Sequence, residues 1–272
     1  MSDLALNGKL ALQRRPQKKR LNPAIQVVGA QVGIWGALIL IWHLTAATIP
    51  GMDHLIGSPG LVLERLSQWV REAAFWSNVL TTITSALTGF LFGAAAACIS
   101  VAITWPIPLM RRFLSPFLII ANAVPRVALA PLFILWFGIG TTSAAMFVTS
   151  IIFLIVYLNV YNGLSSIDAI YDQNARVLGA GRWWRATSVY IPAVMGWFMS
   201  SLRLALIWAI LGAALAEYLA GSRGLGSYLA RGNILGQPDM LLGAAVVIAL
   251  LSLIADRLLA VVERRFTQWR LF

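Results

Sequence analysis

Few residues of this chain combine in a pattern that could carry out a chemical reaction. The two histidines, His43 and His54, have no set of carboxylates, cysteines or histidines at metal-ligand spacing around them. The glycine-rich stretch at 221–226 lacks the Gly-Lys-Ser/Thr of a phosphate loop and follows an apolar helix instead of a strand. No nucleophile stands in a pattern with a base. We therefore expect no catalytic residue, no metal site and no cofactor bound by this chain.

The charged residues with the most unusual surroundings are two arginines in apolar runs. Arg126 lies in the segment Asn122–Pro131, which also contains Pro125. Each proline removes a helix hydrogen bond, and broken helices at membrane depth are tolerated where they line a cavity or are buried in protein. Asn122, Pro125, Arg126 and Pro131 are therefore candidates for a translocation pathway. The alternative is a structural arginine bonded to the carbonyl groups that the prolines free.

Arg203 is the second such charge and lies between Leu202 and Leu204. Glu217 is on the same predicted helix, but about 21 Å separates the two along the axis, so they are not expected to pair. Arg203 is a candidate for the pathway, and the alternative is a buried structural ion.

Composition identifies the elements that must position these residues as membrane helices. Of the 272 residues, 59% are hydrophobic and 11% are charged, whereas a soluble domain carries roughly 25% charged residues. Cys98 is the only cysteine, which excludes an intramolecular disulfide. The net charge of +11 could favour nucleic acid, but the basic residues lie at the ends of apolar runs, so no nucleic-acid partner is expected.

Uncharged runs of about 20 residues predict an all-α integral membrane protein with six spans. The predicted spans cover residues 27–49, 79–103, 113–137, 144–164, 189–216 and 240–262. With both termini in the cytoplasm, fifteen of the 21 lysines and arginines fall inside, four outside and two within spans. This bias favours that orientation. It predicts a basic cytoplasmic tail at 1–21 and a membrane domain at 22–272.

Two shorter patterns concern packing. Ser85, Gly89, Gly93 and Ala97 recur every four residues, which lets another helix approach closely, either in a second subunit or in the same chain. Ser58 followed by Pro59 predicts the start of a short amphipathic helix on the outer surface. Its apolar face is expected to hold Val62, Leu66, Trp69, Val70 and Ala73.

The long polar loop between spans four and five, about residues 165–188, is predicted to form two cytoplasmic helices. The first runs from Asp168 as a cap to Leu178, with Gly179 as its stop, and the second from Arg182 to Ser188. Ala175 and Gly179, four residues apart, are expected to give a flat face for another protein.

This loop resembles the permease signature of ABC importers, which reads Glu-Ala-Ala, three residues, Gly, nine residues, Ile, one residue, Leu-Pro. Gln173, Asn174 and Ala175 occupy the first three places, Gly179 the glycine, Val189 the isoleucine and Ile191-Pro192 the end. Residues 130–140, 175–181, 202–205 and 224–226 are similar to the nitrate, sulfonate and taurine branch of that family. Because Gln173 and Asn174 replace Glu and Ala, docking is expected to depend on shape at Ala175 and Gly179.

The resemblance implies a permease subunit in the bacterial inner membrane. Its partners would be a separate ABC ATPase dimer that uses ATP and Mg, a second permease copy, an extracytoplasmic binding protein and the lipid bilayer. The implied coupling residues are Gln173, Asn174, Ala175, Arg176, Leu178, Gly179 and Pro192. An organic or inorganic anion is the expected substrate. Thiamine-precursor, riboflavin-like or aromatic substrates, a stand-alone transporter and a membrane enzyme are the alternatives.

Overall fold

The computed structural model describes residues 23–267, with side chains for 27–263, and every regular element in that part of the chain is helical. The predicted basic tail at 1–21 lies outside the described residues. The α-helices are α1 (Pro23–Thr48), α2 (Met52–Ile56), α3 (Pro59–Trp69), α4 (Ala73–Thr104), α5 (Pro108–Ala123), α6 (Ala130–Phe137), α7 (Thr141–Ser165), α8 (Ala169–Val177), α9 (Arg182–Arg185), α10 (Ile191–Ala220), α11 (Leu225–Ile234) and α12 (Pro238–Thr267). A 3₁₀ turn covers Arg126–Leu129 and a π turn covers Ala186–Tyr190.

The chain divides into two compact units, Met1–Asp53 and His54–Phe272. The described part of the first unit contains α1, an apolar helix with exposed side chains such as Trp35. Within the described residues, five helices are long and apolar enough to cross a membrane, or six if the bent pair α5–α6 forms one span. The predicted all-α membrane fold is therefore confirmed.

Two glycines set the contact between α4 and α7 in the second unit. A Cβ at Gly89 would lie 2.5 Å from the Cβ of Val148, and one at Gly93 would lie 2.8 Å from the Cβ of Ile152. The small-residue repeat therefore packs against another span of the same chain, as its intrachain alternative predicts. The register increases in the same direction along both helices, so α4 and α7 run parallel.

The bundle has two ends, named here the loop end, next to the polar loop at 166–190, and the far end, opposite to it. At the loop end, Thr104 at the end of α4 shares a 3.0 Å hydrogen bond with Tyr157 in the last part of α7. At the far end, Thr81 near the start of α4 and Thr141 at the start of α7 line one cavity. Because α4 finishes at the loop end and α7 begins at the far end, the chain between them must return across the bundle.

That return crossing is made by α5 and α6, and it corrects the predicted third span. The sequence predicts one kinked helix at 113–137, whereas the structure has two helices that meet at 87°. Pro125 lies between them, outside either helix, and Pro131 lies in the first turn of α6, where its missing N–H costs nothing. The prolines therefore end one helix and start another.

The last two long helices complete the bundle. The start of α10 meets the end of α7, since a Cβ at Gly163 would lie 2.6 Å from the Trp197 ring. Asp256 on α12 forms an ion pair with Arg203 on α10, with an Nε–Oδ1 distance of 2.5 Å. The predicted sixth span at 240–262 is confirmed, because α12 runs as one helix from Pro238 to Thr267.

The short helix α3 begins as predicted, with the Leu61 N–H donating to the Ser58 hydroxyl at 3.3 Å. Val62 and Trp69 are buried, and Trp69 packs beside Gly243 on α12. Val70 follows the last residue of the helix and is 55% exposed, so the predicted apolar face is only partly right. The buried side of α3 packs against α12.

Candidate coupling segment and translocation path

The polar segment at 166–190, named here the α8–α9 segment, begins with a capped helix. The Asp168 side chain accepts a 3.0 Å hydrogen bond from the Ile170 N–H, as the sequence predicts. The helix stops at Gly179, where φ is +76°, and the Ala180 N–H donates to the Ala175 carbonyl at 2.9 Å. Both predicted boundaries of this helix are therefore confirmed.

The second predicted helix, Arg182–Ser188, continues directly into the span. α9 is followed by the π turn and then by α10, which carries Pro192 in its first turn. Pro192 has no N–H for the carbonyl four residues earlier, and the π turn lies directly before it. α9, the π turn and α10 thus form one continuous helix, from Arg182 to Ala220, with a local irregularity.

Asp172 joins the two halves of the α8–α9 segment. Its carboxylate accepts hydrogen bonds from Arg176 and Arg185, each at 2.8 Å, and from the Tyr190 hydroxyl. Burial alone would raise the pKa of Asp172, but these three hydrogen bonds together hold that pKa below its ordinary value. Sequence reasoning missed this residue, although the spacing of Asp172 and Arg176 is that of a helical ion pair.

The exposed surface of the segment differs from the predicted one. Ala175 is only 5% exposed, so the flat face expected from Ala175 and Gly179 does not form at Ala175. Val177 and Leu178 are 86% and 83% exposed, and Trp183 is 81% exposed. Ala175 points into the turn because the hydrogen bonds to Asp172 fix which side of α8 faces the protein. Gln173, Asn174, Arg176 and Gly179 are all exposed, as a docking role requires.

A groove of about 530 Å³ runs between this segment and the end of α4. Its walls include Trp105, Arg111, Asp172, Gln173 and Tyr190. The Arg111 guanidinium lies 4.5 Å from the centre of the Trp105 ring, a cation–π contact. The groove thus connects the segment with the start of the bent helix pair.

The predicted pathway residues fall into two places. Asn122, Pro125, Arg126 and Pro131 are brought together at the bend, where Arg126 donates a 2.8 Å hydrogen bond to the Asn122 side chain. Arg203 is paired with Asp256 instead, and its Nε and Nη2 atoms donate hydrogen bonds to that carboxylate at 2.5 and 2.9 Å. Its side chain is 45% exposed, so the expectation of a buried ion is wrong.

A buried polar network at the far end was also missed. Glu217 accepts hydrogen bonds from the Thr82 hydroxyl at 2.7 Å and from the Gly226 N–H at 3.1 Å, while the Leu225 N–H donates to Thr82. The Gly224 N–H donates to the Asn78 side chain at 2.7 Å. The first amides of α11 are therefore bonded to the chain's own side chains. The sequence predicted only that Glu217 would not pair with Arg203, which is correct.

Long apolar helices with one broken crossing and one polar segment at an end are the architecture of a multi-pass membrane protein. The model of the family described as the binding-protein-dependent transport system inner membrane component matches residues 89–268. The chain belongs to this family. It is a permease subunit of an ABC importer, and it is a multi-pass protein of the bacterial inner membrane.

Individual proteins similar to the chain agree with this assignment. The riboflavin transport system permease protein RibX of Chloroflexus aurantiacus is 30% identical over 85% of this chain and 87% of its own length. The taurine transport system permease protein TauC of Escherichia coli is 29% identical over 91% and 92%. A solved amino acid ABC transporter chain, at 16% identity, covers 75% of this chain and 97% of its own with a TM-score of 0.60, which supports the fold alone.

Proposed function

We propose that the chain couples a separate ATPase dimer to the movement of a small solute through the α8–α9 segment. The observation that carries this proposal is the exposed apolar pair Val177 and Leu178 on a segment that Asp172 holds rigid. Large apolar side chains exposed beside charged ones are typical of protein interaction sites. Gln173, Asn174, Arg176 and Gly179 surround the pair and complete the surface, with Ala175 supporting it from inside.

The path of the force follows from the helix continuity. Arg185 is held by Asp172 and leads through the π turn to Pro192 and α10. A partner that closes on binding ATP and Mg would push the α8–α9 segment and tilt α10 as a rigid body. ATP and Mg would be bound by that partner.

The orientation proposed from the sequence places the loop end and both termini in the cytoplasm. The bundle supports it, because Arg111 lies at the loop end together with Arg176, Arg182 and Arg185. The far end would then face a binding protein outside. A second copy of the chain would complete the pathway, with the bend at Arg126 contributing to it.

We propose a small organic or inorganic anion as the solute, since Arg126 provides a positive charge at a break in the helices. The hydrogen bond from Arg126 to Asn122 leaves its remaining donors for other groups. A riboflavin-like or thiamine-precursor substrate is the second candidate within the same importer class, and RibX is a relative with such a name. A stand-alone transporter would move solute without any ATPase.

The proposal is tested by co-purification of the tagged chain with an ABC ATPase from the same cells. We expect Leu178→Asp to abolish recovery of the ATPase because it places a charge in the docking surface. Ile234→Asp is the matched control, since Ile234 is 80% exposed on α11 at the other end of the bundle. Leu178→Asp is a more specific test than Gly179→Asp. Because φ at Gly179 is +76°, any replacement of Gly179 would change the backbone as well.

Two outcomes would contradict the coupling role. One is full recovery of the ATPase with Leu178→Asp. The other is equal loss with Leu178→Asp and Ile234→Asp in proteins that still fold and insert, which would show that docking is not specific to the α8–α9 segment. ATP-independent flux in liposomes that contain this chain alone would favour the stand-alone transporter.

A further inference from the structure

Trp105 lies at the corner between α4 and α5, at the loop end, where it lines the groove beside the α8–α9 segment. Pro106 follows it, and Pro108 is the first residue of α5. Because the two helices are joined by the short stretch 105–107 and proline fixes the backbone angle φ, this corner is stiff. A displacement of Trp105 is therefore passed on to the start of α5.

The Trp105 ring contacts side chains from three different elements. The centre of the Tyr190 ring, in the π turn, lies 6.5 Å from the centre of the Trp105 ring, with 70° between the planes. The centre of the Tyr161 ring, on α7, lies 5.7 Å away, with 81° between the planes. The Arg111 guanidinium, on α5, lies over the same ring in the cation–π contact described above. Both aromatic pairs have the edge-to-face geometry that rings prefer, so Trp105 links the π turn, α7 and α5.

Tyr190 connects this corner with the ion pair that closes the α8–α9 segment. Its hydroxyl donates to Asp172, which also accepts from Arg185. Under the proposed coupling, a movement of the segment therefore carries the Tyr190 ring with it. Tyr161, in contrast, belongs to α7, which is the most buried of the five long apolar helices and serves as a fixed support. Trp105 thus contacts both an element that would move and one that would not.

Arg111 fixes the start of α5 to this corner. Its Nε atom is buried and has no hydrogen-bond partner among the described residues, so the Trp105 ring positions this end of the side chain. No residue of α5 is buried in the described chain, so packing alone holds this helix only weakly. The helix is about 24 Å long, and a tilt of about 5° at its start would move its other end by about 2 Å. That end leads directly into the bend at Arg126.

We propose that Trp105 and Arg111 form a second branch of the coupling path, which transfers movement of the α8–α9 segment to α5 and so to the bend at Arg126. Trp105 is a positioning residue, because it acts on the bend through α5. The inference rests on the proposed function and extends it, since the first branch moves α10 and the second moves the bent helix pair. One push at the loop end would then move two crossings of the membrane.

The test follows both branches in the complete complex with its ATPase, reconstituted in lipid nanodiscs. On the Cys98→Ala background, a spin label at Val127 reports on the bend, and a label at Leu211 reports on α10; both positions are exposed. Spectra are recorded without nucleotide and with a non-hydrolysable ATP analogue and Mg. We expect the analogue to change both spectra in the otherwise unaltered chain. With Trp105→Leu, the response at position 127 should be lost and the response at position 211 kept.

Two further variants make this result specific. Arg111→Gln leaves the Trp105 ring in place but removes the cation, and it should also abolish the response at position 127. Trp76→Leu is the matched control, because Trp76 is 54% exposed near the start of α4, at the far end, and both responses should persist. None of these variants alters the exposed surface of α8, so the ATPase should co-purify in full. Solute taken up per ATP hydrolysed should fall at least about twofold with Trp105→Leu, the lower limit for loss of one cation–π contact.

An unchanged response at position 127 with Trp105→Leu or Arg111→Gln would overturn the proposal. Equal loss at positions 127 and 211 would also overturn it, because Trp105 would then support the whole bundle instead of one branch. An unaltered chain whose label at position 127 ignores the nucleotide would show that the bend does not move. Failure of the unaltered chain to recover any ATPase would refute the proposed function itself, so the two failures are distinguishable.

Discussion

Asp172 on α8 and Arg185 at the end of α9 form an ion pair at 2.8 Å across the turn at Gly179–Gly181. Both side chains are only 15% exposed. The pair closes the two short helices into one rigid unit, and Arg185 leads directly into α10. Under the proposed coupling, a push on the exposed surface of α8 would reach α10 through this ion pair.

We expect Asp172→Asn to separate ATPase binding from transport. The exposed residues Val177 and Leu178 would remain, so the ATPase should still co-purify, but the loss of the ion pair should lower uptake by about tenfold, an amount typical of one charged hydrogen bond. Arg176→Gln is the matched control, because Arg176 binds the same carboxylate but is 65% exposed and contributes little. Parallel measurements of uptake and ATPase recovery in the two variants check this, and equal uptake in both would contradict it.

The pH dependence of this clamp follows from the lowered pKa of Asp172. The folded state favours the charged carboxylate, so its contribution is complete above the ordinary value of 3.8 and is lost as the pH falls through the lower folded pKa. A spin label at Val177 should therefore keep its mobility from pH 8 to pH 5 and become more mobile only below about pH 4. The same label in Asp172→Asn should be mobile throughout. A transition near pH 6 in both proteins would show that another group controls the segment.

Packing of α4 on α7 predicts a strong effect of one methyl group. Gly93→Ala would place its Cβ 2.8 Å from the Ile152 Cβ and from the Thr149 carbonyl, so the helices must separate. We expect a loss of about 1–3 kcal/mol in the free energy of unfolding. Gly181→Ala is the control, since nothing lies within 4 Å of its Cβ position. Thermal unfolding of both variants in the same detergent checks the difference, and equal midpoints would refute this packing.

Arg126 at the bend gives a test of the solute charge. We expect Arg126→Gln to reduce uptake of an anionic solute at least tenfold, whereas Arg126→Lys should retain part of it because the charge remains. Initial uptake rates at equal expression provide the measurement. Unchanged uptake with Arg126→Gln would contradict a role for Arg126 in binding the solute. Its hydrogen bond to Asn122 would then be structural only.

The sequence was sufficient where local chemistry determines the structure. Asp168 caps α8 and Gly179 ends it, because a side-chain acceptor and a positive φ are requirements of the backbone itself. The long apolar runs likewise predict helices that the structure contains, since each must satisfy its backbone within lipid.

The sequence was insufficient where distant residues meet. The 87° angle between α5 and α6, the pairing of Arg203 with Asp256 and the network at Glu217 depend on which helices are neighbours. The burial of Ala175 has the same origin, because contacts of Asp172 with Arg185 and Tyr190 decide which face of α8 is turned inward.

Site-specific cross-linking tests the central claim, that the α8–α9 segment receives the ATPase, most directly. Cys98 is the only cysteine, so Cys98→Ala gives a background on which Leu178→Cys or Ile234→Cys can be introduced alone. With a short cysteine-to-lysine reagent in membranes that contain the complex, we predict an adduct with the ATPase from position 178 and none from position 234. An accessible cysteine at 178 that gives no adduct, or equal adducts from both positions, would contradict the account.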